Sequence, residues 1–539
     1  MLRNHPFTRG GFWLKSGIAL LLAALADALF FVHQPGATLG AFALAWVVGV
    51  AFARPGLRHD RRAVFALAAA VLLALVLIDR PGMLAWGLFG LMLSVAVLSA
   101  RVRAGDPVWR WIQRLVVHAV VSAVGPVIDL VRLTRPRRRS RRGGLSLWRL
   151  AKMLVLPLVG GAIFLALFAS ANPLISNALD QVRAPSLSGE TILRAWFWGL
   201  VVLTVGASLR PRWRRRLIAL PSLGDARMPG VTGASIILSL VVFNALFALQ
   251  NGLDIAFLWS GAPLPDDMSL ADYAHRGAYP LIATALLAGL FVLVALRPGS
   301  ETAKQPLVRA LVVLWVGQNM LLVASSLLRT ADYIEAYALT RFRIAAMIWM
   351  VLVAAGLLLI LWRMLRGKDG HWLIDANVRL TLVVLALVST VDLGAVAAAW
   401  NVRHAREIDG TGATLDLGYL RFLGAPALVS LVELEQTTSD PELRDRAAAV
   451  RAELHAQVRR QQSHWRGWTW RDARRLDRIE GLTGGHPLAR PRPGLREYDG
   501  GLIPPAPLPP VLSAPSPGEP ASTPPPAYAA GPLTWTPGA

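Results

Sequence analysis

Apolar runs of about 17 residues or more recur through the first 400 positions of this chain, each long enough to cross a bilayer's hydrocarbon layer as a helix. A backbone inside lipid must satisfy its own hydrogen bonds, which leaves only helical bundles and closed barrels. No run shows the ~10-residue polar–apolar alternation of a barrel strand. The expected fold is therefore all-α, a polytopic transmembrane helical bundle. The mean hydropathy of +0.47 agrees, since a soluble chain with a polar surface averages near or below zero. The expected spans are 14–32, 37–53, 63–79, 82–100, 150–170, 191–209, 233–254, 278–296, 306–328, 343–363 and 377–400, about eleven in all.

Arginine placement assigns the loops to sides. The net charge is +23, which in a soluble chain would suggest a nucleic-acid partner. Here the cations gather in short loops between apolar runs, the pattern that fixes membrane orientation, so no nucleic acid is expected. Arg54, Arg58, Arg61 and Arg62 fill one loop, Arg135–Arg142 a second and Arg210–Arg216 a third. Arg297 and Lys304, then Arg363, Arg366 and Lys368, complete a set occupying every second loop. The intervening loops carry few cations, and 255–277 holds Asp266, Asp267 and Asp272 against Arg276. The reading is an inner-membrane protein with its amino terminus in the cytoplasm and its carboxyl terminus outside. Anionic lipid headgroups on the cytoplasmic face are the expected partners of the arginine clusters.

Two segments stand apart from the count. Residues 115–131 are apolar, but Arg110 and Arg114 precede them and Arg132 and Arg135 follow, which anchors both ends to one side. They read as an interfacial or re-entrant helix. The first span resembles a signal peptide, yet the next span begins within a few residues, so a retained helix is expected.

Beyond Asn401 hydropathy falls. Residues 401–480 read as a small helical segment outside the membrane. Ser439 or Asp440 can cap a helix that has Pro441 in its first turn. Leu443, Ala447, Val450, Leu454 and Val458 then follow at helical spacing. Residues 481–539 form a Pro-rich tail, extended or disordered from about 486, with 13 prolines in the last 39 positions.

Three stretches carry a family resemblance. They are NALFALQNGLDIAFLWSGAPLPDDMSLADYAHRGAYPLIATALLAGLFVL from Asn244, DYIEAYALTRFR from Asp332, and LDLGYLRFLGAPAL from Leu415. They resemble the bacterial multi-pass proteins grouped as domain of unknown function 4173, related to the 4153 group. The likeness is clearest from about 234 to 430, weaker before that, and does not cover the tail. It implies class and location and supplies no activity. Those proteins are expected to have Tyr-Gly-Leu-Thr where this chain has Tyr337, Ala338, Leu339 and Thr340. The alanine thus replaces a residue that tolerates unusual backbone geometry.

Polar groups inside spans are costly and so mark candidate sites. Asn244 and Asn251 lie seven residues apart on one helix face, with Gln250 and Asp254 beside them. Gln318, Asn319 and Arg329 follow in the ninth span, and Asp332, Glu335, Tyr337 and Arg341 in the next outer segment. His275 and Arg276 occupy an outer loop, and Asp392 falls inside the last expected span. Two readings stand. One is a pocket open to the outside that binds an anionic or polar ligand through arginine forks. The other is hydrogen bonding that pins helices together, with Arg329–Asp332 and Asp332–Arg341 as loop ion pairs. Asp392 reads either as a proton or cation relay or as a bond to a neighbouring helix.

No cysteine is present, and no zinc-protease, P-loop, dinucleotide or serine-elbow motif appears. No catalytic residue, cofactor or metal is expected. The functional expectation is transport or ligand binding from the outer side. The alternative is a non-catalytic envelope scaffold or sensor whose tail docks a protein partner.

Overall fold

A computed structural model of the chain describes residues 9–99, 102, 105–123, 157, 161, 188–211, 232–256 and 305–504. The expected span 278–296 lies outside these residues, as do 150–170 apart from residues 157 and 161 and the arginine clusters at 135–142 and 212–216.

The described residues form helices and no strands, with one isolated bridge between Arg496 and Leu502. They are α1 (Arg9–Phe30), α2 (Thr38–Ala53), α3 (Arg61–Asp79), α4 (Met83–Ser99), α5 (Val108–Ala123), α6 (Gly189–Leu209), α7 (Gly233–Asp254) and α8 (Pro306–Tyr337). Next come α9 (Arg341–Arg366), α10 (Gly370–Thr390), α11 (Leu393–Arg403), α12 (Arg406–Asp409), α13 (Leu417–Leu423), α14 (Leu428–Thr437), α15 (Pro441–Gln462) and α16 (Trp470–Thr483). Seven of these are long and apolar enough to cross a membrane: α1, α3, α6, α7, α8, α9 and α10. The apolar helices α2 and α4 are shorter, at 16 and 17 residues. That gives about 24–26 Å of rise.

Two expected boundaries move. The ninth span continues as helix to Tyr337, because Arg329 finds a buried acidic partner and its charge does not end the helix. The last expected span, 377–400, is instead two helices. α10 takes 21 residues, about 31 Å of rise and enough to cross alone. The chain then turns extended at Val391, and Asp392 caps α11 by accepting from the backbone N–H groups of Gly394 and Ala395. Of the segment 115–131, the part up to Ala123 belongs to α5, whose Arg114 and His118 are buried. Burial works against the Asp106 carboxylate before α5, but Arg114 and then Arg110 outweigh it and hold its pKa below the ordinary value.

Helix ends gather at two rims. At one, the Arg54 guanidinium donates to Val97 O (2.8 Å), Val108 N–H donates to Asp375 (2.9 Å), and Arg210 covers the Phe12 ring. At the other, Arg194 forks onto Asp27 and Asn401 bonds Leu339. The carboxyl-terminal helices dock on this second rim. The helix ends named here thus fall into two sets, one at each rim.

Beyond α11 a separate apolar core forms around Leu420, Leu428, Leu431, Leu434, Ala447 and Leu454. Asp440 caps α15 from its Oδ1 (2.9 Å), Pro441 opens the helix, and Leu443, Ala447, Val450, Leu454 and Val458 are all buried. The expected tail begins later than 481. α16 runs to Thr483, and 485–504 lie back along α15. Arg496 bonds Asp445 (2.7 Å), and Arg446 pairs with Asp499. The prolines of this stretch rule out a helix, yet its charged side chains still find fixed partners.

Candidate functional site

The buried polar groups of the bundle concentrate where α7 meets α8. Asn244 donates from Nδ2 to Leu240 O (2.8 Å) in its own helix and to Leu311 O (3.1 Å) in α8. Gln318 returns a bond to Asn244 Oδ1 (3.0 Å), and Asn251 donates to Gln318 O (3.1 Å). The contacts 244–311 and 251–318 keep one offset, so α7 and α8 run parallel. Further along the seam Arg329 pairs with Asp254, and Gln250 donates to the same carboxylate (2.9 Å).

Three acceptors of the seam stay open. Asn251 is 4% exposed and Asp254 2%. Asn251 Oδ1, Asp254 Oδ2 and Gln318 Oε1 are buried with no hydrogen-bond partner among the described residues. An unsatisfied buried polar atom costs about 1–3 kcal/mol, more than the ~0.6 kcal/mol an interhelical bond typically returns within a membrane. Helix pinning alone leaves these three acceptors unexplained.

The other candidates scatter. Asn319 is buried but donates within its own helix, to Trp315 O (2.7 Å). Asp332, Glu335 and Tyr337 sit exposed on the last turns of α8. His275 and Arg276 lie outside the described residues. Arg341 begins α9; its backbone N–H donates to the Tyr419 hydroxyl (3.0 Å) and its guanidinium covers Phe422.

Between α8 and α9, Ala338 has φ +65° and ψ 167°, a conformation nearly confined to glycine that costs other residues about 1–3 kcal/mol. Neighbours fix the turn. Asn401 accepts from Leu339 N–H (2.6 Å) and donates to Leu339 O (3.0 Å), while Arg343 donates to Tyr337 O (2.6 Å) and to Ala338 O. A glycine would suit this geometry, and this chain holds the turn against the strain of an alanine.

Asp392 belongs to neither the seam nor a bundle interior. It lies at the second rim, in a joint with α16. Arg475 pairs with Asp392 and with Asp472, and Arg80 lies 3.4 Å from Asp392. Arg471 donates to Asp79 (2.8 Å) and to Thr390 O (2.8 Å), and Arg474 reaches Asp79 at 2.5 Å. A relay in mid-membrane is therefore replaced by a capped, ion-paired rim position. The joint also uses main chain: Gly36 N–H donates to Arg466 O (2.9 Å) and Ala37 N–H to Trp468 O (2.6 Å). A Cβ on Gly36 would stand 2.5 Å from Gly467 C and Trp468 O. Sequence reading missed Asp79, Arg471, Arg474 and Arg475, since the partners are distant in the chain. The alternation of arginines with tryptophans from Trp465 to Arg475 is the only local signal.

Deeper in the carboxyl-terminal unit, Arg451 forks onto Glu435 (2.8 and 3.1 Å) and donates to Ala489 O (2.5 Å). Burial pushes the Glu435 carboxyl above its ordinary pKa, and Arg451 offsets only part of that.

No solved structure and no curated protein matches the chain. Residues 42–434 match the family model of domain of unknown function 4153, the group given above as the relative of 4173. The match runs from α2 through most of α14, seam and strained turn included, and this multi-helix, membrane-type chain belongs to the DUF4153 family.

Proposed function

We propose that this chain is a bacterial inner-membrane protein that binds a polar ligand in the α7–α8 seam. The rim bearing Arg54 and Arg210 faces the cytoplasm in this reading, and the rim bearing the carboxyl-terminal unit faces outward. One observation carries the ligand: the three buried acceptors at Asn251, Asp254 and Gln318. An anion drawn in by arginine fits less well, because Asp254 already neutralises Arg329. A ligand carrying hydroxyl, amide or ammonium donors completes the seam. Transport follows if the Arg329–Asp254 pair opens as the ligand passes.

The experiment is a thermal-shift screen of the purified protein with polyols, amino acids and primary ammonium compounds. A binder at a hundredfold its Kd adds about 2.7 kcal/mol, so a rise in Tm should appear in the native protein and vanish in Asn251→Leu. If no compound separates the two proteins, the seam is not a ligand site. A reporter fused after Arg216 and active outside the cytoplasm would overturn the orientation.

A scaffold is the second reading, favoured by the fixed docking of the carboxyl-terminal unit on the rim. It requires envelope proteins to be captured by the full chain and lost on deletion of 401–539.

A further inference from the structure

The turn before α16 reads HWRGWTW, from His464 to Trp470. Trp465 is 62% exposed and Trp470 55%, and Trp468 is partly exposed beside them. Tryptophan normally buries its large apolar ring, and three such rings left open on one short turn need an environment apolar below and polar above. The joint fixes where this turn stands. Arg466 Nε donates to Ala28 O (3.0 Å) at the end of α1, Arg471 bonds Asp79 at the end of α3, and it also bonds Thr390 O at the end of α10. All three are helices long and apolar enough to cross a membrane. The turn therefore sits at the height where spans leave lipid.

The charge at this height is unbalanced. The joint sets Arg80, Arg471, Arg474 and Arg475 against only Asp79, Asp392 and Asp472. Arg466 adds a further cation. Its guanidinium lies 4.7 Å from the Trp465 ring centroid, and no carboxylate faces it among the described residues. A planar guanidinium on an aromatic plate at a membrane surface suits a phosphate diester, which it can grip through two parallel bonds.

Resting on the membrane reading above, we infer that this turn docks on the adjacent lipid leaflet. Trp465 and Trp470 lie in the headgroup layer, and Arg466 holds the phosphate of an anionic lipid. The docking lies on the rim opposite the arginine-rich loops, so it is distinct from the lipid contact that sets orientation. It gives the carboxyl-terminal unit a third support besides its ion pairs and main-chain bonds.

The test uses the absence of cysteine. His464→Cys places a single nitroxide on the exposed turn, and Leu72→Cys places another on the outward face of α3 as a lipid reference. Full-length protein is reconstituted in vesicles of phosphatidylcholine alone or mixed with phosphatidylglycerol, and collision with a water-soluble nickel relaxer is measured. The expected result is a several-fold loss of nickel access at 464 when phosphatidylglycerol is present, reversed by Arg466→Gln. Because the two vesicle types are compared on unaltered Arg466, the outcome does not depend on that variant folding. Equal nickel access in both vesicles overturns the inference. So does a fully water-exposed label at 464 while the Leu72 label lies in lipid, and that result leaves the membrane reading standing. A water-exposed label at Leu72 overturns the membrane reading itself.

Discussion

The α7–α8 seam and the α16 joint both set arginine against aspartate, yet they solve opposite problems. In the seam one pair, Arg329 with Asp254, lies almost wholly buried, and amide and carboxylate oxygens are left over. In the joint several arginines share fewer carboxylates, and part of each group stays wet. Open acceptors in a dry place can take a donor from outside. A surplus of cations at a rim asks for an anion and tolerates its absence, because water can serve. On the proposed reading the seam is the place for selectivity and the joint for attachment.

The sharpest way to break this comparison is to unpair the seam. Arg329→Met should cost about 3–5 kcal/mol by stranding Asp254, read as a fall in the unfolding midpoint in detergent. Adding Asp254→Leu should return most of the loss. If the double variant is as unstable as the single one, the two groups are not coupled and the contrast with the joint dissolves.

The joint should respond less. Asp392→Asn keeps a side chain that still caps α11, so its cost isolates the ion pairs, about 1–3 kcal/mol. Amide exchange should accelerate in α16 and leave the seam unchanged. Equal acceleration in α7 would mean that the two regions are one cooperative unit. Ala338→Gly goes the other way and should stabilise by about 1 kcal/mol, since relief of the positive φ exceeds the added chain entropy. A loss on that substitution would mean that Asn401 and Arg343 do not hold the turn as described.

The smallest effect expected is a pH slope in the carboxyl-terminal unit. Burial, then Arg459 and Arg451, depress the His455 pKa in the folded state. Between that depressed value and the ordinary 6.5, the unfolded chain binds a proton that the folded chain does not. Stability should therefore fall as pH drops below 6.5 and level off once the folded pKa is passed. His455→Gln should flatten that slope in an exchange measurement on α15.

Much of this architecture is written in local pattern. Hydropathy and arginine spacing give α1–α4, α6, α7 and α9 to within a few residues. The cap and apolar period of α15 are legible because both depend on neighbours a few positions away. Hydropathy fails where a charge is paired out of sight, as at Arg329, and where an apolar run conceals a cap, as at Asp392. In each case the deciding partner is far along the chain. The seam could be suspected from polar residues inside spans, but which of its acceptors stay open is a property of packing. The joint was invisible, since Asp79 and Arg471 mean nothing to each other until the helices are assembled.

The main-chain bonds at Gly36 and Ala37 have a consequence for biogenesis. The turn joining the first two helices closes on Arg466 and Trp468, and Thr38 reaches Arg466 O across 428 residues of sequence. Ribosomes deliver Arg466 428 residues after Thr38. The hairpin of α1 and α2 is therefore made with its amide donors open and waits through those 428 residues of synthesis for its closing partner. A protein truncated before α16 would present to proteases a first turn that never received its seal.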